Sequence, residues 1–537
     1  MANYQKMFEK DYQKLSEKFN KTNEEFKQLK YEYKLLNSKY QTKCKQMENI
    51  IEAADNTAKE KYESVIIEKD KIIEEKDKEI ERLKALLNMD GTNSGISTSK
   101  TPLNKNKIIP SSREKSDKSI GGQKGHPKHK LEKFKDEEVT EIEKHDLTEC
   151  PKCGGTLEKI AEIYKDELSY KVVPIKRRHV FERYKCSCCK NEVHEEIPVR
   201  LKEENQYGSE VQALALSLGN EGNVSINKIC RLIKGITHNE ICPSEGYIAK
   251  LQKRASKKLE KFNEDVFKEL LKQDIVNWDD TVIMVDKKRA CFRFYGTNKL
   301  ALYKAHLQKN KDGVDEDGLL NTLSANVKVV HDHNIINYNQ DYSFINVECN
   351  EHLKRDLQKC FDNTQHDWAK KLKELIQKAI HDRKTIINKL SESNEENKLI
   401  NLGKISFDQD YLIAFDTSFN DYILDGIAIN KNSKNHYYYK DELALINRIL
   451  DYKENYFMWL YDFSIPPDNN LSERSLRGIK SKMKISGQFQ NIKNAEFHAN
   501  IKTYIETCYR NDINPTDALI SLMEDRPLEL SEIIKKE

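Results

Sequence analysis

The run Asp274-Ile275-Val276-Asn277-Trp278-Asp279-Asp280-Thr281-Val282-Ile283-Met284-Val285 is apolar and β-branched, with two adjacent acids in its middle. That composition predicts a strand. Strand side chains alternate between faces, so Asp279 falls with Asn277 and Thr281, and Asp280 with Val276, Trp278 and Val282. A carboxylate inside an apolar strand is costly unless it is paired or bound to metal. Residues 289–295 and 300–306 read as the next two strands of an antiparallel meander, and 327–332 as another short strand ending on Asp332. Any one of these acids alone would also suit an ordinary turn or strand end.

A third acid lies far downstream. In Pro466-Pro467-Asp468-Asn469-Asn470-Leu471-Ser472-Glu473-Arg474-Ser475-Leu476-Arg477 the prolines close an extended segment and a helix is expected to start near Asn470. Glu473 then sits in the first turns, followed by Arg474, Arg477, Lys480, Lys482 and Lys484. A lone acid among bases can be a simple ion-pairing residue. Two strand acids and one helix acid together instead suit a pair of magnesium ions, because magnesium prefers oxygen ligands and keeps room for water and phosphate oxygens. Two ions about 3.5–4 Å apart serve the attacking and leaving oxygens of an in-line displacement. Arg474, Arg477 and Lys480 would hold a phosphate backbone across them.

The rest of the chain sets the context. Charged residues make up 33% of the 537 residues, above the usual share of about 25%, so much of the chain is expected to be exposed or extended. Only 19 glycines and 11 prolines favour long helices over loops. A net charge of +3 leaves any nucleic-acid affinity to local basic patches. The run Met1-Ala2-Asn3-Tyr4-Gln5-Lys6 has no signal-peptide core, and no apolar run reaches the roughly 18 residues of a membrane helix. A soluble intracellular, cytoplasmic protein is expected, whose cysteines are not paired as disulfides.

Residues 1–89 hold no glycine or proline and carry a heptad. One seam runs through Tyr12, Phe19, Phe26, Tyr33, Tyr40, Met47 and Ala54, the other through Phe8, Leu15, Thr22, Leu29, Leu36, Lys43, Ile50 and Thr57. Such a repeat predicts a coiled coil and self-association, although a polar single helix or two helices packed in cis fit the same pattern. Residues 90–135 read as a flexible linker. Between residues 100 and 135 there are eleven Lys or Arg and three acids, including Gly121-Gly122-Gln123-Lys124-Gly125-His126. A basic arm of this kind can follow phosphates, with Lys124 as one contact, or serve as a solvated tether.

Residues 136–200 contain Cys150-Pro151-Lys152-Cys153-Gly154-Gly155 and Cys186-Ser187-Cys188-Cys189. Paired knuckles present four thiolates suited to one structural zinc, with Cys150, Cys153, Cys186 and Cys189 as ligands and Cys188 as a substitute for Cys189. Strands are expected at residues 170–173 and 178–181. Residues 205–270 look like three helices with breaks before Ile226 and after Ser244; a helix-turn-helix DNA reader and plain helical packing both fit.

At this point the chain resembles the insertion-sequence-66 family of transposases, of the Asp-Asp-Glu class. Gly121-Gly122-Gln123-Lys124-Gly125-His126 looks like its glycine-rich basic segment, and Cys150-Pro151-Lys152-Cys153-Gly154-Gly155 like its zinc-finger opening. Asp279-Asp280-Thr281 stands where the family has Asp-Glu-Thr, Asp332 at its second Asp, and Cys349, His352 and Arg355 at a Cys-x-x-His-x-x-Arg motif. Residues 468–477 resemble its Asp-Asn-Asn-x-x-Glu-Arg-x-x-Arg, which makes Glu473 the third acid. His333 follows Asp332 where the family favours glycine; Asp280 replaces a glutamate, which leaves open which of Asp279 and Asp280 binds metal, though alternation favours Asp279.

The resemblance implies a multidomain α+β protein: an N-terminal coiled coil, a zinc-binding module, a helical domain, and a ribonuclease-H-like α/β catalytic core over 271–345 and 460–510. It also implies a helical insertion over 346–459, leaving 511–537 as a C-terminal tail. It further implies catalysis by Asp279, Asp332 and Glu473 with two magnesium ions, DNA ends and target DNA as substrates, a homodimer or higher oligomer, and possible service by small accessory proteins of the same element. The sequence also leaves open a non-catalytic dimeric zinc-containing DNA-binding protein, or an inactive transposase remnant.

Overall fold

A computed structural model of the chain describes residues 69, 71–73, 75–76, 133–201, 203–392, 401–434 and 436–534. Residues 1–105 and 106–537 are separate units. The described residues of the first, Lys69, Lys71, Ile72, Ile73, Glu75 and Lys76, are all helical. The rest of the expected heptad lies outside the described residues, as do Lys124 and the segment around it.

In the second unit, residues 133–201 are largely extended and exposed. A short antiparallel hairpin, β1 (Arg183–Lys185) with β2 (Glu192–His194), brackets the second cysteine knuckle. The strands expected at 170–173 and 178–181 do not form. Tyr170, Val173 and Val180 are exposed, so no apolar face is there to reward their pairing.

Helices α1 (Ser209–Asn220), α2 (Ile226–Ile236), α3 (Glu245–Lys258) and α4 (Glu260–Leu270) follow. Ser244 caps α3, its hydroxyl accepting the Tyr247 N–H at 3.1 Å. Along α3 the buried residues Ile248, Leu251 and Ala255 recur at three- and four-residue spacing, which turns one stripe to the core.

The chain then enters a five-stranded mixed sheet, formed by β3 (Ile275–Val285), β4 (Lys288–Gly296), β5 (Ala301–His306), β6 (Lys328–His331) and β7 (Ile345–Glu348). Strand order is β5-β4-β3-β6-β7. The first three pair antiparallel, while β6 joins β3 and β7 joins β6 in parallel. Asp286 and Lys287, at φ 45° and 63°, make the two-residue turn between β3 and β4, which needs the left-handed region at both positions. Helix α5 (Lys311–Asp317) lies between β5 and β6.

After β7 the chain leaves the sheet for α6 (Asn350–Thr364), α7 (Asp367–Glu392), α8 (Gln409–Asn432), α9 (Tyr439–Asp451) and α10 (Lys453–Phe457). These helices share a core around Trp368, Phe419 and Trp459 that reaches the sheet at Val330 and Val347. Buried Glu442 joins three of them by accepting from Trp368 Nε1 at 2.7 Å, His366 Nδ1 at 2.8 Å and Asn430 Nδ2 at 2.9 Å.

The chain returns as α11 (Asn470–Ser486) and α12 (Ile492–Arg510). Leu476 and Ile479 of α11 and Ala495 and Ala499 of α12 pack on the sheet face made by Ile283, Phe292, Phe294 and Tyr303. The cluster containing Trp278, Tyr295 and Leu302 is closed by α1 to α4 and the second half of α12. The C-terminal stretch is folded rather than a bare tail. Its helices α13 (Pro515–Met523) and α14 (Leu530–Ile533) put Leu519, Leu522 and Ile533 into that same core. No described helix is long and apolar enough to cross a membrane.

Candidate active site

The parallel register of β3 and β6 brings two acids side by side. Asn277 lies opposite Val330, and two residues further on each strand are Asp279 and Asp332. A two-residue step keeps the face, and neighbouring strands are about 4.8 Å apart. The two carboxylates feel each other strongly. Burial, then the Asp332 and Asp280 charges, push the Asp279 carboxyl up to about 8, against a smaller opposing effect of Lys480.

Glu473 arrives from the first turn of α11, and the ring of His352 stands between it and Asp332. His352 Nδ1 is 3.1 Å from Asp332 Oδ1, and Nε2 is 3.9 Å from Glu473 Oε1. Arg355, one turn further along α6, reaches Glu473 Oε1 at 3.5 Å. Burial alone would pull the His352 ring down, but Asp332 and Cys349 beside it push it up to about 11. Burial likewise works to raise Asp332, and His352 and Asn469 outweigh it, so its carboxyl ends below the usual range. Asp279 and Asp332 thus lie side by side on neighbouring strands, and an imidazole stands between Asp332 and Glu473.

Asp280 takes the other face of β3. Its Oδ1 is 2.7 Å from Lys309 Nζ and its Oδ2 accepts from Cys291 Sγ at 3.5 Å. Of the adjacent pair, Asp279 shares its surroundings with Asp332, and Asp280 is committed to a lysine. His333 also turns away, with Nδ1 2.8 Å from buried Glu348.

Asn469 holds the site together from behind. Its side chain donates to the Trp278 carbonyl at 2.8 Å, and its Oδ1 accepts from Asn277 Nδ2 at 3.2 Å and Ser472 Oγ at 2.8 Å. Its backbone N–H donates to Cys349 Sγ at 3.2 Å. Asn350, fully buried, donates its side chain to the carbonyls of Tyr456 at 2.8 Å and Pro467 at 3.0 Å. The N-termini of α6 and α11 thus meet where the acids converge, and their dipoles favour negative charge there. Asp468 caps Asn470 N–H at 3.0 Å.

From Glu473 a stripe of exposed bases, Arg477, Lys480 and Lys484, follows the same side of α11, with Arg474 exposed beside it. Lys482 does not join them. It is turned inward, donates to the Gly219 carbonyl at 3.1 Å, and burial lowers its ammonium to about 8.

The cysteine knuckles each have a tight turn. Gly154 N–H and Cys153 N–H return to the Cys150 carbonyl at 2.8 and 3.3 Å, and Lys190 N–H returns to the Cys186 carbonyl at 3.0 Å. Gly154 (φ 70°) and Lys190 (φ 58°) supply the left-handed positions. Backbone amides, and within each pair the partner thiol, lower the Cys150 and Cys186 thiols. Among the described residues, the trio found with ligand atoms all within 4.8 Å of one another is Asp332, Cys349 and His352. Among the described residues, neither the four knuckle sulfurs nor the three acids are gathered in that way.

The metal fit can be tested on the acids themselves. Asp332 Oδ1 is buried outside good hydrogen-bond geometry, and burial together with the Asp332 and Asp280 charges pushes the Asp279 carboxyl up. Oxygen donors in this state suit a divalent ion. Residues 204–497, more than half of the chain, match the protein-family profile described as Transposase IS66 family. This chain belongs to the IS66 transposase family. No curated protein matches it. Membership in the IS66 family brings transposition as the reaction class and DNA as the partner. Asp279, Asp332, His352 and Glu473 all fall inside the matched residues, while the knuckles and Lys124 precede them.

Proposed function

We propose that this IS66-family chain is a DNA transposase of the Asp-Asp-Glu class, which cuts the ends of an insertion element and joins them to target DNA. The observation that supports the reading is the placing of Asp279 beside Asp332 across β3 and β6, with His352 between Asp332 and Glu473 at the start of α11. Sheet order and strand directions, with α11 packed over the acid-bearing face, support a ribonuclease-H-like core. Asp279, Asp332 and Glu473 would hold two magnesium ions, which when bound activate the attacking oxygen and stabilise the leaving one.

The chain's own residues supply the rest. Arg474, Arg477 and Lys480 hold the phosphodiester backbone beside Glu473. The helix N-termini of α6 and α11 favour phosphate in the same place. Asn469 fixes the distance between β3 and α11, so that the acids keep their spacing as DNA enters. Cys150, Cys153, Cys186 and Cys189 would bind one zinc and give residues 136–200 the order that their exposed side chains do not. The heptad of residues 1–89 would bring two copies together, and Lys124 would reach DNA through the basic linker. The test is cleavage of terminal-repeat DNA by purified protein. Strand breaks at the repeat ends should require added Mg²⁺ and stop with a chelator. Cleavage unchanged by chelation, or none with any divalent metal, would contradict the reading.

A further inference from the structure

Two buried atoms face each other with nothing between them. His352 Nδ1 and Asp332 Oδ1 are 3.1 Å apart and shielded from solvent, yet their alignment falls outside hydrogen-bond geometry. Buried polar atoms in that state are rare and call for an explanation. Their spacing supplies one: adjacent ligands on an octahedral ion with bonds near 2.1 Å stand about 3.0 Å apart. The far side of the ring fits as well. Nε2 faces Glu473 Oε1 at 3.9 Å and Arg355 Nη1 at 3.4 Å. A carboxylate aimed at the outer nitrogen is how metal-bound imidazoles are usually oriented. Cys349 completes the cluster in distance, but its sulfur already accepts the Asn469 N–H at 3.2 Å, which ties the start of α6 to the start of α11.

We propose that His352 Nδ1 is a metal ligand beside Asp332 Oδ1, so that one position of the metal pair takes nitrogen as well as oxygen and prefers Mn²⁺ to Mg²⁺. This rests on the three-acid reading above and refines it. Magnesium dehydrates reluctantly and is bound through oxygen, whereas first-row divalent metals accept imidazole readily. A site of carboxylates alone would lack that bias.

The experiment uses the full-length, zinc-replete protein with Mn²⁺ alone and no DNA. Electron spin-echo modulation should show ¹⁴N directly bound to Mn²⁺, and calorimetry should show Mn²⁺ binding about tenfold or more tighter than Mg²⁺. His352→Ala should lose the nitrogen coupling and most of the preference, while Cys349→Ala keeps both. The wild-type spectrum needs no variant to fold. Mn²⁺ that binds, is lost in Asp332→Asn, and shows no nitrogen coupling in the wild type would overturn the role of His352 and leave the three-acid reading standing. Nitrogen coupling that survives in His352→Ala would overturn it equally. If Asp279→Asn and Asp332→Asn both leave Mn²⁺ stoichiometry unchanged, the three-acid reading itself fails, and the proposal with it.

Discussion

The Asn469 side chain donates to the Trp278 carbonyl at 2.8 Å, which ties the residue before α11 to the strand position just before Asp279. Asn469 is fully buried and serves four groups at once. Asn469→Ala would leave the Asn277 amide without its acceptor and the Trp278 carbonyl without its donor. A buried group stripped of its partner costs about 1–3 kcal/mol. Chemical denaturation should show a loss of that size. Joining activity should fall further than stability alone explains, because the spacing between Asp279 and Glu473 loosens. A variant as stable and active as the wild type would remove Asn469 from this role.

Asp279 gives the protein a pH signature. Its carboxyl sits at about 8 in the folded chain, against about 3.9 unfolded. The folded state therefore holds a proton that the unfolded state gives up. In metal-free protein that stabilisation is complete below pH about 4 and is lost as pH rises through about 8. Asp279→Asn removes the effect. Metal-free melting curves of variant and wild type should nearly coincide at low pH, and the variant should become the more stable as pH rises from about 4 towards 8. Added divalent metal should raise the melting temperature of the wild type but not of the variant.

The adjacent acid should behave differently. Asp280 is paired with Lys309 at 2.7 Å on the opposite face of β3. Calorimetry of Asp280→Asn should find divalent-metal affinity within about threefold of wild type, as expected for loss of a half-exposed ion pair. Asp279→Asn should lose tenfold or more by a ~1.4 kcal/mol-per-decade scale. Equal losses would mean that both carboxylates bind.

On α11 the exposed bases and the inward-turned one can be separated by salt dependence. Arg477→Ala and Lys480→Ala should each weaken DNA binding and reduce the slope of log affinity against log salt by about 1. Lys482→Met should leave that slope unchanged, since Lys482 points to the Gly219 carbonyl rather than to solvent. A slope change in Lys482→Met would show that α11 meets DNA through another face.

Zinc should matter to one region only. Residues 133–201 have no buried apolar residue among those described, so their order would depend on the knuckles. Chelation, or Cys150→Ser with Cys186→Ser, should make this region sensitive to protease while the melting of residues 205–534 stays in place. Protease resistance that survives full zinc removal would contradict the metal assignment.

Much of this arrangement is legible in the chain because it is local. Alternation along β3 separates Asp279 from Asp280 without any tertiary information, and Pro466-Pro467 followed by Asp468 marks the start of α11 to the residue. The strands β4, β5 and β6 fall where their apolar runs predict them. What the sequence hides depends on distant partners. β7 is only four residues long and exists because β6 pairs with it. Tyr170 to Val173 has strand composition but no surface to pack on. His352 is conspicuous as a motif residue, yet its position between Asp332 and Glu473 needs β6, α6 and α11 to meet. Lys482 continues a basic run and is nevertheless turned inward and half-buried, because one helix face must enter the core.

The most direct measurement is joining of terminal-repeat DNA to a target plasmid by Asp279→Ala, Asp332→Ala and Glu473→Ala, each tested beside wild type at matched DNA binding. Each single change should lower joining by about 10³-fold or more while leaving DNA affinity within a few-fold, as expected of residues that act as one unit. Wild-type joining in any one of the three would contradict the convergent carboxylate site.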